Sequence, residues 1–378
     1  ARRFEVSGLL NHGLSRRDEE TRITEVELYE AAWRTEGGNF QRTHYLANAH
    51  IEAPLEADRN RLFAGRRFAQ AAPVFADGTI YLTQGETLHA VNIEDFKTRW
   101  SYTVDNKRAI KGTPTIADGL ALFGSDDFVL RALDVKSGEL VWSLPTEFKI
   151  TGAPCVADGK AIIGSNDGYI SAIDLNTGEL AWEFHAGQSV QSSVASDGEK
   201  IYFTSFNQHV HALNVKDGRK TWSFKTGGQI RSGVAIAEDA VYFGSDDGSV
   251  YAVDKATGKQ KWSYKTNGYV EASPAIDDSR VYIGSVDGTF GALDRKTGNV
   301  AWQAELGTPI RSAALVIGDK VAFHADDNHL YLLNKQTGKE LSKVNINRGL
   351  TSITPMGDSL IIGTRSGYCF VRKQKNKR

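Results

Sequence analysis

From about residue 70 onward, apolar and polar positions alternate in short runs, and the runs return at a fixed interval. One stretch reads VYFGSDDGSVYAVDKATGKQKWSY over residues 241–264, and another reads VYIGSVDGTFGALDRKTGNVAWQA over residues 281–304. Val, Tyr, Phe and Ile alternate there with small or polar residues, the period-2 signature of strands. Asp-Gly and Thr-Gly pairs between the runs predict tight turns. Each repeat thus predicts four strands: an Ile-x-x-Ser/Ala-Pro opening, a Val-Tyr-x-Gly run, an Ala-Leu-Asp run and a run carrying Trp. No 3.6-residue apolar period survives in any copy, which excludes a helical solenoid.

The tryptophans measure the repeat. Trp100, Trp142, Trp182, Trp222, Trp262 and Trp302 are separated by one step of 42 residues and then by 40 each time. The Gly-Ser position of the second strand recurs at Thr83, Gly124, Gly164, Thr204, Gly244, Gly284, His324 and Gly363, which makes eight units. Four-stranded units repeated about an axis predict an all-β, eight-bladed β-propeller of antiparallel blades, which protects its short edges by closing on itself. The last unit supplies only three strands before the chain ends. Its outer strand is expected from the N-terminal side, at residues 60–64, which puts Arg61 at the Trp position there and leaves Ser342 at that position in the seventh unit. The expected division is an N-terminal extension of unassigned structure over 1–57, the propeller over 58–372 and a basic, solvated tail over 373–378.

Charge changes the picture little. With 45 basic and 46 acidic residues, the net charge of −1 supplies no field that draws the molecule to nucleic acid. Cys155 and Cys369 are the only cysteines and lie in different repeats, so neither a disulfide framework nor a Cys-rich metal motif is expected. No run approaches the roughly 20 apolar residues of a membrane helix. The chain opens at Ala1 and has one methionine, Met356, so export with removal of a signal peptide is expected, in the periplasm or cell envelope.

The phrase Ala-x-Asp-x-x-Thr-Gly-x-x-x-Trp resembles the tryptophan-docking motif of the pyrroloquinoline-quinone-like (PQQ-like) propeller repeat family. It stands at Ala132, Asp134, Gly138 and Trp142, and again at Ala172 to Trp182, Ala252 to Trp262 and Ala292 to Trp302; copies with Asn begin at Ala212 and near Leu332. The segment from Trp33 to Thr43 resembles the opening that precedes the first blade in this family. The resemblance covers residues 60–371. It implies a structural role for the Trp positions and three functional kinds: quinoprotein dehydrogenases, the propeller lipoprotein of the outer-membrane β-barrel assembly complex, and sensor or adaptor propellers.

Residues choose among these. A dehydrogenase of this family implies an adjacent cysteine pair, an acidic calcium site and a catalytic Asp; the pair is absent, so no catalytic residue, no metal and neither PQQ nor calcium is expected. The pairs Asp126-Asp127, Asp246-Asp247 and Asp326-Asp327 read as hairpin-turn formers rather than calcium ligands. His209 and His211 share one face of a strand, but no third ligand is near in sequence, and packing is the expected role. One ring stands out. The residues just before each Ser-Pro position, Gln70, Lys111, Thr151, Gln191, Arg231, Glu271, Arg311 and Thr351, should surround one mouth of the axial channel. Three cations against one acid there predict an anion-attracting funnel for a ligand or a partner. The leading expectation is a non-catalytic, monomeric envelope scaffold that presents a loop face to one or more proteins, similar to the assembly lipoprotein. That family's lipidated N-terminal Cys does not stand at Ala1. The alternatives are a PQQ-type oxidoreductase or degenerate relative holding a small anion in the funnel, and a ligand-sensing adaptor.

Overall fold

The computed structural model describes residues 38–39, 42–46, 51–58, 71–105, 108–347, 349, 351–356, 358–364 and 367–373. Eight antiparallel sheets follow one another round a ring among them, and the fold is an eight-bladed β-propeller. Blade five is representative: Ala235–Ile236 lies innermost, followed outward by Ala240–Gly244, Ser249–Asp254 and Gln260–Lys265. The same order gives blade one over 74–103, two over 115–145, three over 155–185, four over 195–225, six over 275–305 and seven over 315–345. The inner strands of neighbouring blades approach one another around the axis.

The alternation along each strand fills the seams between blades. Tyr202, Val210 and Trp222 of blade four share one buried cluster with Ile236, Phe243 and Val253 of blade five. Outer strands alternate differently: in Gln260–Lys265 only Trp262 is buried, while the flanking residues face water. Each Trp reaches into the following blade. Trp222 Nε1 donates to Lys255 O at 3.0 Å, and Trp142, Trp262 and Trp302 repeat the bond 33 residues ahead at 2.8 to 3.0 Å. The glycine of the next Thr-Gly turn lies flat beneath the ring. Gly258 has φ +70°, and a Cβ on it would stand 2.6 Å from Trp222 Cδ2, so glycine is required on both counts. Trp100, Trp142, Trp222, Trp262 and Trp302 are buried, and Trp182 is half-buried.

Closure does come from the N-terminal side, but with a different strand from the one the sequence predicts. Leu55–Asp58 pairs antiparallel with Gly367–Lys373, and Asp58 stands opposite Phe370 where a Trp stands opposite Ala in regular blades. The link from Asp58 to Pro73 is three residues longer than the link from Trp262 to Pro274, so counting back from the proline lands too late in the chain. Residues 60–64, Arg61 included, lie outside the described residues. Without a Trp, this seam is packed differently. Phe370 takes the Ala position and meets Phe96 edge-on at 6.2 Å, and Phe96 (φ +54°) occupies the position held elsewhere by the turn glycine. In blade seven the buried Ser342 Oγ accepts the backbone N–H of Leu55 at 3.0 Å.

The unassigned N-terminal region also has a structural part. Tyr45–Leu46 pairs parallel with the inner strand Leu315–Ile317, giving blade seven a fifth strand on the axis. The propeller body therefore includes residues well before 58.

Candidate functional site: the axial funnel

The short inner strands leave the links between blades to form the mouth of the channel. The described ring residues meet there: Lys111, Thr151, Gln191, Arg231, Glu271, Arg311 and Thr351 line one cavity of about 450 Å³. Gln70 lies outside the described residues.

The ring's electrostatics differ from the sequence expectation. Lys111 Nζ lies 2.7 Å from Asp126, and Lys149 reaches the same carboxylate at 3.8 Å. Arg231 Nε donates to Asp246 at 2.9 Å, and its guanidinium lies 5.6 Å from the centre of the Phe206 ring. Arg311 bonds Glu271 at 2.9 Å and also Asp326. Every ring cation therefore has a carboxylate partner, and the expected excess of positive charge is largely cancelled. The acids are the turn-forming aspartates. The first of each pair holds a ring cation, and the second also bonds within its own blade: Asp127 to Arg131, Asp247 to Tyr251 and Asp327 to Tyr331. Burial alone would raise the Asp127 carboxyl, yet hydrogen bonds from Arg131 and Ser125 hold it below its usual range.

A sequence signal for these partners exists. Each basic ring residue is followed fifteen positions later by Asp, across the inner strand and the next hairpin. Where the ring residue is Glu271, that position is Val286 and the acid pairs instead with the next blade's Arg311.

The floor of the funnel is the chain's own N-terminal segment, which the repeat pattern does not foreshadow. Ile276 N donates to Thr43 O at 2.9 Å and Val316 N to His44 O at 2.8 Å, which anchors the segment to blades six and seven. From there Arg42, 2% exposed, reaches across the axis. Its Nε donates to Val194 O at 2.9 Å and its Nη2 to Ala153 O at 3.2 Å. Main-chain carbonyls of blades three and four thus receive a buried guanidinium from the opposite wall. Nearby, Cys155 is buried in the inner strand of blade three, and burial pushes its thiol up to about 12.

The other candidates are structural in placement. His211 is buried against Phe203 at 5.1 Å and His209 at 5.6 Å, and burial lowers it to about 4. No three His, Cys, Asp or Glu side chains among the described residues gather as a metal-holding group.

Comparison with known proteins places this geometry. A family model described as the β-propeller of β-alanine-activating enzyme matches residues 157–377, more than half of the chain. A PQQ-repeat model described as outer membrane protein assembly factor BamB matches residues 30–207. The chain belongs to the PQQ-like β-propeller family.

Among solved structures, BamB from Moraxella catarrhalis is 21% identical, with a TM-score of 0.70 over 81% of this chain and 97% of that one. Quinohemoprotein alcohol dehydrogenase from Comamonas testosteroni is 15% identical, with a TM-score of 0.74 over 95% of this chain and 86% of that one. A computationally designed protein reaches 0.73 at 18% identity, over 83% and 98%. At such identities the likeness is one of fold. In sequence, the same Comamonas dehydrogenase is 28% identical over 58 residues, which is 15% of this chain and 8% of that enzyme.

Proposed function

We propose that this PQQ-like propeller is a non-catalytic, protein-binding scaffold of the cell envelope, of the kind represented by BamB. The observation that carries the reading is the state of the funnel. Its cations are engaged by Asp126, Asp246, Glu271 and Asp326, and Arg42 closes its floor. Side chains bound to one another in this way are poor candidates for holding a substrate or exchanging its protons, because each would first have to give up a partner. The same pairing argues against calcium and PQQ: the funnel carboxylates are already neutralised by Lys and Arg, and Cys155 and Cys369 sit in separate blades. The BamB model over residues 30–207 supports an envelope location and a role in outer-membrane assembly.

Two measurements test the reading. Cross-linking in envelope extract followed by mass spectrometry should return a protein joined to the loop face or rim of the propeller. Incubation with PQQ and calcium should leave no bound chromophore after gel filtration. A stoichiometric chromophore with dye-linked alcohol oxidation would replace the scaffold by an oxidoreductase, the reading that the 58-residue match favours.

A further inference from the structure

Three seams between blades are laced on the funnel face by the second residue of the hairpin turn. Asn207 of blade four donates to Ala186 O across the seam. Asp247 accepts the N–H of Gly227 at 2.9 Å, and Asp287 accepts that of Asn267 at 2.9 Å. Asp127 and Asp327 are held instead by Arg131 and Lys343. Asp167 of blade three has neither arrangement. It turns back onto Ser165 and the N–H of Tyr169, so its side chain does not lace the seam between blades two and three, and a groove opens beside it.

The opening is a groove of about 450 Å³. Its apolar wall is Leu144, Pro145, Tyr169 and Leu180, and its acids are Glu147, Asp167 and Glu183, with no basic residue lining it among the described residues. Glu183 accepts a bond from Ser171 at 3.0 Å, while Glu147 has no ion pair among the described residues. The surroundings are unusual too. Of eight exposed large apolar side chains among the described residues, six belong to blades two and three or their link: Phe128, Leu140, Val141, Phe148, Tyr169 and Leu180. Apolar side chains gathered on one side of a molecule mark an interaction surface, whereas scattered ones do not.

The geometry points to this seam as the docking groove for an extended, basic segment of a partner protein, with Lys or Arg side chains entering between apolar neighbours. This assignment rests on the scaffold reading and specifies where the partner is held. Charge selects the occupant: three carboxylates with no cation beside them among the described residues favour ammonium or guanidinium groups. Backbone selects its shape. The outer strand Leu180–His185 has a free edge able to accept an added strand, whereas Pro145 closes that option on the blade-two side.

The test uses a short fluorescein-labelled peptide alternating Val with Arg, a control alternating Val with Glu, and fluorescence anisotropy on the whole chain. The Arg peptide should bind and the Glu peptide should not. Glu147→Gln combined with Glu183→Gln should weaken binding about tenfold and flatten its salt dependence, because each exposed charge pair contributes modestly. Phe148→Ser should weaken it without changing that salt dependence, and Arg231→Ala in the funnel should leave it unchanged. All these positions are on the surface, and unchanged circular dichroism confirms folding. Equal binding of both peptides, no binding, or indifference to the groove substitutions would overturn the assignment. So would self-association abolished by Phe148→Ser, which would make the occupant a second copy of this chain. A partner cross-linked equally to native and groove-substituted chains would remove the groove yet leave the scaffold reading standing.

Discussion

Replacing Gly258 with Ala isolates the contact that joins one blade to the next. The substitution has two costs that can be separated. Gly258 has φ +70°, where an L-residue costs about 1–2 kcal/mol. Its new methyl would also stand 2.6 Å from Trp222 Cδ2, so the ring must shift and loosen its bond to Lys255 O; overpacking of this kind costs about 1–3 kcal/mol. Gly119 is the control. It has φ +79° and nothing within 4 Å of where a methyl group would stand, so Gly119→Ala should show the backbone cost alone. Trp222→Ala should cost about 3–5 kcal/mol, the range for large buried aromatics. In that background Gly258→Ala should fall back to the Gly119 value, giving a coupling of about 1–3 kcal/mol in a double-mutant cycle. Urea unfolding followed by far-ultraviolet circular dichroism measures the native chain and the four variants, with slopes compared to confirm a common transition. If Gly258→Ala and Gly119→Ala agreed within about 0.5 kcal/mol, the ring-on-glycine contact would not be what joins the blades.

Other consequences follow from single residues. Asp277 is buried and bonded to Tyr282 at 3.0 Å and Lys335 at 3.1 Å; burial would raise its carboxyl, but backbone and side-chain donors hold it below the usual value. A depressed carboxylate stabilises the fold above its unfolded pKa of about 4 and ceases to do so as pH falls through the lower folded value. Asp277→Asn should therefore lower the melting temperature at pH 7, with the gap to the native chain narrowing below about pH 4. Asp246→Asn together with Asp326→Asn should leave Arg231 and part of Arg311 without counter-charge, and calorimetry should then detect salt-sensitive binding of a polyphosphate that the native funnel does not retain. Ser342→Ala removes the acceptor for Leu55 N and should cost about 1–3 kcal/mol, with hydrogen exchange rising first along Leu55–Asp58; uniform exchange round the ring would contradict this.

The repeat made most of the architecture legible. A 40-residue interval, period-2 runs and Thr-Gly turns sufficed for eight four-stranded blades, and the ring of Lys111, Arg231 and Arg311 followed from where those runs begin. Their neutralisation did not follow, because Asp in a hairpin turn already has a local explanation and its second role depends on which way the side chain faces. The closing strand was placed correctly in the ring and wrongly in the chain, since a longer link shifts the register without altering any apolar pattern. Arg42 and Tyr45–Leu46 were invisible for a further reason: so few residues carry no period, and the partners of Arg42 lie 111 and 152 positions away while those of Tyr45–Leu46 lie some 270 away. The groove beside Asp167 was hidden because its turn, Asp-Gly, is the same dipeptide that laces other seams.

The pairing of Leu55–Asp58 with Gly367–Lys373 also sets a schedule for biosynthesis. The closing strand leaves the ribosome before the seven blades that separate it in the chain from its partner, which follows them. Until then seven blades can stack on one another, but the first exposes a flank that only the eighth will cover. Tyr45–Leu46 waits in the same way for the inner strand of blade seven. The nascent chain therefore carries unsatisfied strand edges while those seven blades are made, and a holding chaperone that shields Tyr45–Leu46 and Leu55–Asp58 would raise its yield more than one acting on the later repeats.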